Sequence, residues 1–200
     1  MVSTIGPLVK VARRVWYRCI VAYIGASTVA GAVFGGTIGL LGSAVVPGRL
    51  LVPSTVFGLA ALACALVELH VVPVTPPFCA RSVPQEWWRR FRPTYAAIAY
   101  GAVLGIGVTT VIPFAAFYFV LFTVVLAGPL GGALILAAYG FGRAVPVLVG
   151  SLAISRGLDV AAVAGWPITN RPRAHMACAT VLIAVASILL LYPLLSGALV

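Results

Sequence analysis

The sequence predicts an all-α integral membrane protein with about five transmembrane helices. Hydrophobic residues make up 62% of the 200 residues, charged residues make up 8%, and the mean hydropathy is +1.16. A soluble domain of this size cannot bury so large an apolar fraction. Five apolar stretches approach or exceed the roughly 20 residues that cross a bilayer. These stretches, which we interpret as one membrane domain, cover about 19–46, 51–72, 95–127, 130–154 and 176–195.

The basic residues alternate between the connections and indicate the orientation of the chain. They are frequent in the amino-terminal tail and in the second and fourth connections, and they are nearly absent elsewhere. Because cytoplasmic loops carry the excess of lysine and arginine, we expect the amino terminus to be cytoplasmic and the carboxyl terminus to lie outside. The first apolar run is too long for a signal-peptide core, so we expect an uncleaved span. The prediction is a multi-pass protein of the plasma (inner) membrane.

The formal net charge of +10 would suggest a nucleic-acid partner in a soluble chain. Here the arginines stand between apolar runs, and no stretch is left for a nucleic-acid-binding module. Contact with lipid headgroups explains the charge better. We therefore expect the lipid bilayer, and no nucleic acid, as a partner.

The third apolar stretch is too long for one straight span. At about 1.5 Å per residue, 95–127 would extend on the order of 50 Å, against a hydrocarbon core of roughly 30 Å. Glycines and Pro113 predict one broken helix at Gly105–Pro113, because proline removes a backbone donor and clashes with the preceding turn. The freed carbonyls need partners, which Thr109 and Thr110 or water could supply. Thr109, Thr110 and Pro113 are thus candidates for lining a substrate pathway.

A stripe of small residues runs along the first span. Small side chains at every fourth position allow another helix to approach closely. Close packing within the fold is the favoured interpretation, and homo-oligomerisation through the stripe is the alternative. The predicted packing residues are Ser27, Gly31, Gly35, Gly39 and Ser43.

The second connection is predicted to contain an interfacial helix at about 83–91. Ser82 followed by Gln85 fits a capping box. Trp87 and Trp88, with arginines nearby, are typical of a segment anchored at the membrane surface. Anchoring is favoured over docking of a partner protein.

Two sets of ionisable residues are candidate functional groups. Arg143 lies near the middle of the fourth stretch, where a charge must face the bundle interior or water. It is a candidate substrate contact or a structural partner of broken-helix carbonyls. Glu68 is the only acid within a stretch. With His70 it forms either a proton relay or an ion pair at the membrane boundary, and a pair with Arg143 is a further alternative.

The four cysteines show no C-x-x-C motif and no metal-ligand spacing. Cys64 and Cys178 lie in apolar stretches, as small core residues or as a redox pair. We expect no metal and no cofactor. No phosphate loop, metalloprotease helix or nucleophile elbow is present, which favours a non-enzymatic protein.

Two motifs in the carboxyl-terminal half carry a family resemblance. The segments are GVTTVIP at 107–113 and AYGFGRAVP at 138–146. They resemble the transmembrane domain of the cytochrome c biogenesis and thiol–disulfide interchange family (CcdA/DsbD type). That family has a proline-containing break that opens the second of two inverted three-helix repeats. It carries a redox cysteine near the position where this chain has Thr110 or Val111.

The resemblance implies a protein that assists maturation of redox proteins, without the family cysteines and with a redox or maturation partner. The first alternative is a small-solute or ion transporter on the same scaffold. The second alternative is a structural subunit of a membrane complex that uses the small-residue stripe.

Overall fold

The computed structural model describes residues 12–45, 54–72, 91–107 and 114–197. Within these ranges the chain is helical and contains no strand. Six helices are described. The predicted interfacial helix at about 83–91 lies outside the described residues, except for Phe91. The helices are α1 (Arg13–Val45), α2 (Ser54–Glu68), α3 (Pro93–Ile106), α4 (Ala116–Ser155), α5 (Val160–Thr169) and α6 (Arg171–Gly197).

Three helices are long and apolar enough to cross a membrane: α1, α4 and the Arg171–Leu191 part of α6. Helices α2 and α3 are also apolar but shorter, with 15 and 14 residues. Large apolar side chains are widely exposed on the outer faces, for example Val33, Leu134 and Val181. An exposed apolar surface of this extent suits lipid rather than water. The chain is therefore a helical membrane protein.

Helix α4 reverses direction at Gly128. The backbone of Gly128 is not helical, with φ 77° and ψ −179°, and Pro129 follows it. The rings of Phe117 and Tyr139 lie 4.9 Å apart. In a straight helix these residues would be separated by about 33 Å. The segments before and after Gly128 therefore fold back against each other as a helical hairpin.

The small residues of α1 pack against α3 and α4 within the chain. A Cβ atom on Gly31, Gly35 or Gly39 would overlap a backbone carbonyl of α4, and one on Gly105 of α3 would overlap the carbonyl of Ser27. The hydroxyl of Ser27 donates a buried hydrogen bond to the carbonyl of Gly140 at 2.8 Å. Because no side chains lie between these glycine faces, the backbones of α1, α3 and α4 can approach each other closely.

The end of the stripe differs from the prediction at Ser43. Ser43 is only partly buried and its hydroxyl bonds within α1, to the carbonyl of Leu40. Gly42 is buried instead, facing the carbonyl of Val125. A spacing of four residues drifts by about 40° per step on a helix of 3.6 residues per turn. Over four steps from Ser27 this drift moves position 43 off the packed face.

Helices α2 and α6 form a second, antiparallel pair. Gly58 of α2 faces Leu190 of α6, and Glu68 at the other end of α2 contacts His175 near the start of α6. Phe57 joins this pair to the first segment of α4 through an edge-on contact with Phe122, at 5.5 Å between centroids. The pair therefore brings the last residue of α2 against the start of α6.

We expect Gly35→Ala to destabilise the protein by about 1–3 kcal/mol, the usual cost of overpacking. Its new methyl group would overlap the carbonyl of Gly132. Gly25→Ala is the matched control, because nothing lies within 4 Å of its Cβ position, and it should be neutral or stabilising by about 0.5–1 kcal/mol. Thermal unfolding in detergent measures both changes. Equal effects would show that the α1–α4 packing is not closely fitted.

Candidate functional site

The candidate site is centred on the buried carboxylate of Glu68, the last residue of α2. Glu68 is 3% exposed. Its Oε1 lies 2.5 Å from Nδ1 of His175, and its Oε2 accepts a hydrogen bond from the backbone N–H of Ala115 at 2.6 Å. A buried carboxylate is tolerated only when its oxygens have such partners. Both oxygens of Glu68 have one.

The hydrogen bonds define the tautomer of His175. Arg171 Nε donates to Nε2 of His175 at 3.3 Å. Nε2 must therefore be the unprotonated nitrogen, and the proton on Nδ1 points to Glu68. The result is a continuous chain of donors and acceptors. It runs from the exposed guanidinium of Arg171 through the neutral imidazole to the buried carboxylate.

The backbone donor to Glu68 belongs to the start of α4. Ala115 is the residue that caps α4, and no side chain of its own caps this helix end. The first N–H groups of a helix lack internal partners, and the helix dipole makes this end positive. A carboxylate from another helix accepts a hydrogen bond from such an N–H group and is attracted by the positive helix end. Glu68 thus joins the end of α2, the start of α4 and the start of α6.

A helix-capping motif holds His70 beside this cluster. The N–H of Val71 bonds to the carbonyl of Leu66 and that of His70 to the carbonyl of Val67, which is the Schellman pattern at the end of α2. His70 occupies the left-handed position of the motif, with φ 57°. Glycine is usual there, whereas histidine is strained. This backbone places its ring 5.6 Å from the ring of His175.

A cleft of about 480 Å³ opens beside the cluster. The end of α2 and the start of α6 line this cleft, which connects the buried carboxylate to the protein surface. The side chain of His175 is 13% exposed and that of Glu68 is 1% exposed, so the cleft exposes the imidazole more than the carboxylate. The lining residues are Glu68, Leu69, His70, Arg171, Pro172, His175 and Met176.

The predicted redox residues Cys64 and Cys178 both lie near the same carboxylate. Cys64 lies one turn before Glu68 on α2, and Cys178 lies one turn after His175 on α6. Both thiols are partly buried and free, and both lie within the electrostatic influence of Glu68. Cys19 is also free but fully buried in the cluster around Tyr23.

Arg143 lies in a separate aromatic cluster. Its Nη1 donates to the hydroxyl of Tyr139 at 3.4 Å, and its guanidinium carbon is 5.7 Å from the centre of that ring. The buried hydroxyl of Tyr23 lies close enough to Arg143 for an electrostatic interaction. Tyr139 also contacts Phe117, near the start of α4. Tyr139 thus links Arg143 to the first turn of α4.

Some predicted site residues cannot be placed. Thr109, Thr110 and Pro113 lie outside the described residues. Among the described residues, the carboxylate of Glu68 is paired with His175 rather than with His70 or Arg143. No group of three or more histidine, cysteine or acidic residues in the described ranges is arranged to hold a metal ion.

His175 is the functional residue that the sequence analysis missed. The chain contains only two histidines, and both lie in this cluster. One indication in the sequence was the position of His175 just before the last apolar stretch, on the same predicted side of the membrane as Glu68. The separation of 107 residues between the two partners gave no local indication of their contact.

The arrangement does not identify a family. No family model, no curated protein and no solved structure matches this chain. The class that the fold and site define is a helical membrane protein with a buried carboxylate–imidazole pair at the junction of three helix ends.

We expect Glu68→Gln and His175→Gln to be energetically coupled by about 1–3 kcal/mol in a double-mutant cycle, because replacing either side chain leaves the other without its buried partner. Chemical unfolding in detergent gives the four free energies. The matched control is the cycle of Glu68→Gln with His70→Gln, since His70 contacts the ring of His175 and not the carboxylate. Additive effects in the first cycle would show that the pair is not a unit.

Proposed function

We propose that the chain crosses the plasma membrane five times, with the amino terminus in the cytoplasm. Helices α1, α2 and α6 would each cross once. The part of α4 after Gly128 would cross as the fourth span. Helix α3 and the part of α4 before Gly128 would together make the broken third span, since their combined length suits one crossing.

Helix contacts support a position for Glu68 inside the bundle, level with Ser27 of α1. Gly105, just before the end of α3, packs on Ser27 near the midpoint of α1. Phe117, just after the start of α4, contacts the adjacent Gly107 position and Tyr139. Ala115, which donates to Glu68, lies at the same level. An ionisable residue at that depth is expensive and marks an ion or proton pathway in many membrane proteins.

On this basis the protein is a transporter of a small solute or ion, and the Glu68–His175 pair binds the proton or cation that moves with it. The observation that carries the proposal is the capping of α4 by a buried carboxylate, inside the bundle. Ends of interrupted helices at membrane mid-depth form the binding sites of many secondary transporters. Thr109, Thr110, Pro113 and Arg143 would line the adjoining pathway.

The hydrogen-bond chain suggests how a proton would act. A proton entering from the cleft binds Nε2 of His175, which can then no longer accept from Arg171. The imidazolium and the guanidinium repel each other, while the attraction between the imidazolium and Glu68 increases. Arg171 moves away from His175 within α6, while the contact of His175 with Glu68 holds α6 to α2 more strongly. Loss of the proton restores the first arrangement, so the pair has two states that a gradient can bias.

Glu68→Gln is expected to abolish proton-coupled flux, because the amide cannot exchange a proton with His175. The measurement uses proteoliposomes with an entrapped pH dye, an imposed potassium diffusion potential and a panel of small cations and neutral solutes. Wild type should dissipate the gradient faster than protein-free liposomes with at least one solute.

Asp159→Asn is the matched control. It removes the same charge from an exposed residue outside the site and should retain full flux. If Glu68→Gln transports as well as wild type, the carboxylate has no role in coupling. If wild type never exceeds protein-free liposomes, transport is the wrong function.

The second candidate function is thiol–disulfide exchange in redox-protein maturation, as the family resemblance implies. The observation that favours it is the position of Cys64 on α2 and Cys178 on α6, each within about one turn of the Glu68–His175 contact. A thiolate of one would attack a disulfide of a partner protein, and the other would resolve the mixed disulfide. The chain's two thiols would be oxidised to a disulfide and the partner's disulfide reduced to two thiols, with two electrons transferred.

We expect Cys178→Ser to trap a mixed disulfide through Cys64 if this second function is correct. Non-reducing electrophoresis after rapid alkylation of native membranes would detect it as a reductant-sensitive shift. Cys19→Ser is the control and should leave the shift unchanged, because Cys19 is fully buried in another part of the bundle. Cysteines that stay reduced under mild oxidant, in wild type and in Cys178→Ser, would exclude thiol exchange.

A further inference from the structure

A larger cleft lies between the start of α1 and the end of α4. Its volume is about 930 Å³, and none of its lining residues belongs to the Glu68 site. One part of the lining is basic, with Arg13, Arg14 and Arg18. Another part of the lining is apolar, and includes Ile24 and Leu148. A ligand that fits both parts must be anionic at one end and apolar at the other.

The charge of the basic part is not balanced within the described residues. No described carboxylate forms an ion pair with Arg13, Arg14 or Arg18. Glu68 is engaged by His175, and the whole chain has only three acids against thirteen lysines and arginines. The first turn of α1 adds the positive end of a helix dipole at the same place. These features together favour binding of an anion that is not part of the chain.

Trp16 provides an independent observation. Its side chain lines the cleft and is 8% exposed, and its indole N–H has no hydrogen-bond acceptor among the described residues. A buried donor without an acceptor is unfavourable, because it has lost its water and gained nothing. Oxygen atoms of a ligand in the cleft could accept from it once the ring turns toward the cleft, because the nitrogen itself is buried. Trp16 therefore points to a ligand rich in acceptors.

We propose that this cleft binds one anionic phospholipid. The phosphate lies against Arg13, Arg14 and Arg18, whose guanidinium groups match phosphate oxygens in pairs. The glycerol ester oxygens accept from Trp16, and one acyl chain lies along Ile24 and Leu148. The site is independent of the transport proposal, since it uses other residues and other helix ends.

Native mass spectrometry of the full chain in detergent tests the proposal. Phosphatidylglycerol and phosphatidylcholine with the same acyl chains are titrated separately, and inorganic phosphate is a third arm. We expect one tightly bound phosphatidylglycerol per chain. The double variant R14Q/R18Q should weaken it by about 25-fold, since each arginine near an anionic lipid contributes about fivefold. The control R156Q/R173Q removes two exposed arginines that do not line the cleft and should bind as wild type.

Trp16→Phe provides a test that keeps the charge and the ring but removes the N–H. It should weaken phosphatidylglycerol binding severalfold, whereas Trp166→Phe at an exposed position should not. The proposal also survives a folding failure of R14Q/R18Q, because Trp16→Phe and the wild-type lipid preference remain measurable. Equal binding of the two lipids, equal loss in R156Q/R173Q, or saturation by inorganic phosphate at the lipid's affinity would overturn it.

Discussion

The architecture around the site depends on satisfying one buried carboxylate. An ionised Glu68 removed from water is costly unless each oxygen has a donor. One donor is the imidazole of His175 and the other is the backbone of Ala115. Neither donor is local to α2, so burial of Glu68 requires the starts of α4 and α6 to meet its carboxyl end. Three helix ends are held together by a single side chain.

Close helix packing makes this meeting possible. Where glycines face carbonyls on α1, α3 and α4, the backbones approach without side chains between them. The end of α3 and the start of α4 therefore sit beside α1 and not at its outer ends. Gly107 adds a positive φ of 76°, which ends α3 against the rings of Phe117 and Tyr139. The glycines thus determine the depth at which Ala115 presents its N–H.

Hydropathy and residue spacing predict the local features of this fold but not its long-range contacts. The membrane class follows from composition, and packing through Gly31, Gly35 and Gly39 is predicted by their spacing. The sequence also places a connection at Gly128 and Pro129, where α4 departs from helical geometry. Pairing of Glu68 with His175 is different in kind. It depends on how two helices far apart in the sequence are arranged. A lone histidine at the edge of an apolar stretch could pair with many different groups, and the sequence does not select one.

The distribution of charge separates two physical roles within the same chain. The negative charge of Glu68 is compensated internally, by an imidazole and a helix end, so its energy changes when either partner moves. The positive charges at the start of α1 have no described internal counterpart and depend on the membrane for compensation. Because α1 carries the small residues that position α3 and α4, an anion bound at its start acts on the helix against which the site is assembled. If the proposed lipid binds there, lipid composition would influence the geometry around Glu68 through α1, without any lipid contact to the carboxylate itself.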